Sequence, residues 1–174
     1  LIRTFIYAVS FRTPFNFSHP RVMETTVSLL GRMTKQNWNL LEKVRAAALL
    51  YNLGMLTMDR ETFEKEHSPK ELHDLLHKSV DNINEIMEEA DLTDIVAMFK
   101  GAIGEKAVNG KHSLMGKDII SGSNMINIAD IFTSLMEQRC SKYDISCTEV
   151  LEELKSLGRT ENLYFPMIEL MEDY

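Results

Sequence analysis

The chain reads as an all-α protein, and three observations say so. Apolar residues recur at three- and four-residue steps through most of its length. Strand-like alternation of apolar and polar residues never runs for a convincing length. Prolines, glycines and short polar residues fall where helices would start and stop. At typical helix lengths the 174 residues divide into about eight helices. One domain with a substantial core suits that length.

Leu1 to Arg12 carries a helical stripe of Leu1, Ile2, Phe5, Ile6 and Val9, broken at Thr13-Pro14. We read residues 1–16 as a lead-in helix from an upstream region of a longer protein, with a sensor or receiver domain as its natural source. Ser18 and Pro20 open the next helix, which runs to Met33 with Val22, Met23, Val27 and Leu30 on one side. Asn37 or Asn39 caps a third helix holding Leu40, Leu41, Val44, Ala47, Ala48, Leu50 and Tyr51. Gly54 is expected to end it in the left-handed conformation. A polar loop follows, with room for a short helical turn. Ser68-Pro69-Lys70-Glu71 then starts a helix that reaches Ala90. Asp91 to Asp94 starts another, with Ile95, Val96, Met98 and Phe99. Gly101 to Gly116 is glycine- and lysine-rich and reads as a loop. The longest helical stretch is Asp118 to about Arg139, where Met125, Ile128, Phe132 and Leu135 make the stripe. Ser146 or Thr148 caps a helix through Leu157, and Phe165-Pro166 precedes a last one.

Hydrophobic content of 44% with 26% charged residues is ordinary for a water-soluble fold. The formal charge of −7 comes without a contiguous basic stretch, which argues against a nucleic-acid or anionic-membrane surface. No apolar run approaches the length of about 18–20 residues that spans a bilayer. Cys140 and Cys147 read as reduced thiols of a cytoplasmic protein, and eleven methionines suggest an adaptable core. No P-loop, dinucleotide fingerprint or nucleophile elbow is present. His73 and His77 share a helix face, but no glutamate follows the first as a zinc-protease motif needs.

Several segments, in order, resemble the HD-GYP domain, a subgroup of the HD superfamily of helical phosphohydrolases. His19-Pro20-Arg21-Val22 looks like the family's opening His-x-Arg-Val helix. Leu50-Tyr51-Asn52-Leu53-Gly54-Met55 looks like its Leu-His-Asp-Ile-Gly-Lys. Phe63 to Ser68 is similar to the loop before the helix that ends in a ligand histidine, and His77 falls at that histidine. Ile128-Ala129-Asp130-Ile131-Phe132-Thr133-Ser134-Leu135, then Arg139, is a close match to Val-Ala-Asp-x-Phe-x-Ala-Leu and its following arginine. Tyr164-Phe165-Pro166 resembles the Phe-Asp-Pro before the final helix. The resemblance spans roughly residues 17–170, and its most specific piece is the Ala-Asp helix.

The resemblance implies an HD-domain-like bundle, iron or manganese as cofactor, and hydrolysis of cyclic di-GMP. It maps His19, His77 and Asp130 onto metal-ligand positions, and Lys65 and Arg139 onto phosphate-binding ones. It also exposes a loss. Tyr51 and Asn52 stand where the family has the metal-binding His-Asp pair, and Met55 stands for its lysine. A neutral amide lacks the anionic oxygens that bridge cations, and a phenol is a poor ligand at neutral pH. The Gly-Tyr-Pro loop and the family's paired histidines are missing as well. The expectation is therefore a catalytically inactive signalling or interaction domain without a metal, its partner another protein or an attached domain. Two alternatives stay open. One is a phosphohydrolase with a reduced metal site at His19, His77 and Asp130; the other is a sensor that binds a cyclic dinucleotide without cleaving it. A homodimer is also open. By periodicity alone Asp130 lies off the apolar stripe, beside Asn127 and Glu137, on a solvated face.

Overall fold

The computed structural model describes residues 18–51, 53–57, 61–62, 69–104, 114, 116–140, 146–160 and 163–173. The expected lead-in helix and the Phe63–Ser68 loop lie outside them. Among the described residues all regular structure is helical, as the periodicity predicts. Seven α-helices are described: α1 (Ser18–Met33), α2 (Trp38–Leu50), α3 (Pro69–Glu89), α4 (Thr93–Ala102), α5 (Gly116–Cys140), α6 (Cys147–Thr160) and α7 (Phe165–Leu170). Two short 3-10 segments, Leu53–Thr57 and Met171–Asp173, complete them.

Local chemistry explains most of the boundaries. Asn37, not Asn39, caps α2, its side chain accepting from the Leu40 amide at 2.9 Å. Asn37 thereby satisfies one of the amides that a helix start leaves without an internal partner. Ser146 and Glu149 form a reciprocal box at the head of α6, the Ser146 amide donating to the Glu149 carboxylate at 2.9 Å. Chain reversals after α1 and α3 use Lys35 and Asp91, which take φ of 53° and 57°.

Gly54 corrects the sequence expectation. It lies inside the 3-10 turn after α2, and among glycines the left-handed φ belongs to Gly104. The reason for glycine at 54 is contact: a Cβ there would sit 1.9 Å from the Ser79 carbonyl oxygen of α3. Backbone cannot yield by that much, so the turn and α3 can pack this closely only without a side chain.

The core is built around α5, which packs on α4, α1, α2 and α6. That position explains why its predicted stripe was too narrow. Met125 and Ile128 are buried as expected, but so are Ile119, Ile126, Ala129 and Thr133. A helix covered on several sides is apolar nearly all round. Gly122, which costs helix propensity, lies against α4, where a Cβ would come within 2.7 Å of the Met98 sulfur. Helix α4 is itself almost wholly buried, from Asp94 through Phe99. No helix of the described residues is long and apolar enough to cross a membrane.

Candidate functional site

Three elements bring four polar side chains together near the start of α1. His19 stands in the first turn of α1 and is buried. Asp130 and Glu137 lie two turns apart on α5, and a spacing of seven residues keeps both on one face. Tyr51 follows the last turn of α2 and is only 3% exposed. His19 Nε2 lies 3.1 Å from Asp130 Oδ1, and His19 Nδ1 lies 2.9 Å from Glu137 Oε2. Tyr51 is buried close enough to Asp130 to feel its charge. The Tyr51 ring meets Phe99 of α4 edge-on, with centroids 5.6 Å apart. Such edge-to-face pairs fix ring orientation and contribute about 0.5–1.5 kcal/mol beyond burial.

The electrostatics follow from that geometry. Burial is the largest single influence on His19 and would lower its pKa. The hydrogen bonds and charges of Asp130 and Glu137 together outweigh it and raise the pKa above the ordinary 6.5. Each ring nitrogen lies within hydrogen-bond distance of a carboxylate oxygen. Burial, joined by the nearby Asp130, pushes the Tyr51 hydroxyl well above its ordinary 10.0. Tyr51 is thus a neutral phenol, not a phenolate that could grip a cation.

Of the positions singled out in the sequence, His19, Asp130 and Tyr51 converge. Asn52 and Lys65 lie outside the described residues, as do the side chains of His77, Met55 and Arg139. His77 belongs to α3, Met55 to the 3-10 turn and Arg139 to the last turn of α5. Among the described residues no group of three or more His, Cys, Asp or Glu side chains is arranged to hold a metal ion. Asp130 is a correction to the periodicity argument. Its side chain is 20% exposed and bonded to α1, not on a solvated face. Glu137 was missed for the same reason. The signal that could have found it is the length of α5: the longest helix of a small bundle is covered on more than one side.

A second buried polar cluster also escaped the sequence. Asp94, in the first turn of α4, pairs with Lys43 of α2. Its Oδ1 also accepts from the Leu114 amide at 3.2 Å. Elsewhere on α2, Arg45 donates from both Nε and Nη2 to the Glu24 carboxylate on α1, at 3.2 and 2.7 Å.

No family model, no curated protein and no solved structure matches this chain.

Proposed function

We propose that the chain is a non-hydrolysing, HD-GYP-like helical domain that works by contact with another protein or an attached signalling domain. One observation carries this reading. Tyr51, at the place where the resemblance expects a metal-binding histidine, is buried with its ring packed edge-on against Phe99. Two residues of the implied ligand set, His19 and Asp130, are bonded to each other. Multi-metal phosphodiester cleavage needs carboxylates and neutral imidazoles turned toward the cations, which generate hydroxide and absorb phosphate charge. Side chains engaged with one another are poorly placed for that work.

The test pairs metal analysis of protein purified without oxygen with turnover of cyclic di-GMP. The expected result is substoichiometric iron and manganese and no hydrolysis. Stoichiometric metal together with turnover overturns the proposal.

One feature favours a second reading, a phosphohydrolase with a reduced site. His19 Nδ1 is held by a carboxylate, the orientation that metal-binding histidines commonly receive from their surroundings. On that reading His77→Ala abolishes a metal-dependent hydrolysis seen in the parent protein.

A further inference from the structure

We propose that the cluster at the head of α1 is a metal-independent clamp, in which His19 is tied to both Asp130 and Glu137 where the resemblance would put iron or manganese. This deepens, and rests on, the reading of the chain as a non-hydrolysing module. The implied metals do not fit the described residues, and the misfit is specific. His19 offers two ring nitrogens; Nε2 faces Asp130 and Nδ1 faces Glu137. A cation entering here would have to displace the bond from His19 Nε2 to Asp130 before it could use either group. The Tyr51 ring resists rearrangement, because it is buried and wedged against Phe99.

The clamp has a definite mechanical role. Through it α1 and α5 meet at one point. His19 sits in the first turn of α1, so its two bonds hold the start of that helix onto α5. Glu137 extends the contact two turns along α5. A metal would tie the same elements by coordination; here hydrogen bonds between side chains do it. The competing arrangement is one in which Glu137 merely orients His19 and a metal replaces the bond to Asp130. The two arrangements predict opposite responses to added metal.

The experiment is a thermal-unfolding and calorimetric titration of the intact chain with manganese chloride, repeated with ferrous iron under anaerobic conditions. The expected result is no saturable heat and no change in Tm. Binding of one ion per chain, with a Tm rise of about 5–10 °C at a hundredfold excess over Kd, overturns the clamp. Glu137→Ala removes the partner of His19 Nδ1; it should lower Tm in metal-free buffer, and an unchanged or higher Tm counts against the clamp. Metal binding without cyclic di-GMP turnover would sink the clamp and leave the non-hydrolysing reading standing. Turnover by metal-free protein would do the reverse.

Discussion

The two buried polar clusters of this domain use similar groups to different ends. At Asp94 one carboxylate serves an ammonium on α2 and a backbone amide at Leu114. At His19 one imidazole lies between two carboxylates, and the hydrogen bonds run from side chain to side chain. The first arrangement does what folding demands. A buried backbone donor must find an acceptor, and Asp94 supplies it. The second satisfies only groups that the sequence itself placed there. The side-chain-to-side-chain bonds make the His19 cluster, and not the Asp94 cluster, the candidate site.

That contrast can be broken most forcefully at Asp94. Asp94→Ala should destabilise the domain by about 3 kcal/mol, since it strands a buried amide and an ammonium together. For a chain of this size the corresponding drop in Tm is roughly 6–12 °C, read by calorimetry or by circular dichroism. Glu137→Ala should cost less, about 1–2 kcal/mol, because His19 keeps its bond to Asp130. If the order of these two losses were reversed, the division between a folding cluster and a site cluster would not stand.

A pH series sharpens the comparison further. Folding raises the His19 pKa above 6.5, so the native state holds that proton more tightly than the unfolded chain does. The stability this contributes is complete below 6.5 and is lost as pH rises through the raised native value. The stability difference between the parent and His19→Gln should therefore be larger at mildly acidic pH and shrink toward alkaline pH. Denaturant titrations across that range measure it, and a difference that grows with pH would contradict the two-carboxylate environment. The smallest effect belongs to the surface. Glu42 pairs with Arg45 three residues along α2 and is about half exposed, so Glu42→Ala should change stability by no more than about 0.5 kcal/mol.

Individual residues show how far the sequence could be read. The caps of α2 and α6 were legible to within two candidates each, Asn37 or Asn39 and Ser146 or Thr148, because capping is settled within a few residues of chain; Phe165-Pro166, expected ahead of the last helix, lies in the first turn of α7. Gly54 was legible as a break but not in its purpose. Its need for a missing Cβ comes from Ser79, which reaches it only when α3 packs against the turn. Asp130 and Glu137 looked solvated because a helical wheel assumes one buried face, and α5 has several.

By itself, the sequence determined that this chain is helical and where most of the described helices begin. Helix periodicity and end chemistry are short-range, so they survive without coordinates. Only the tertiary structure decided what His19 would meet, since its partners lie 111 and 118 residues away. Contacts over such separations are chosen by which faces of α1, α2 and α5 pack together, and no local pattern carries that choice.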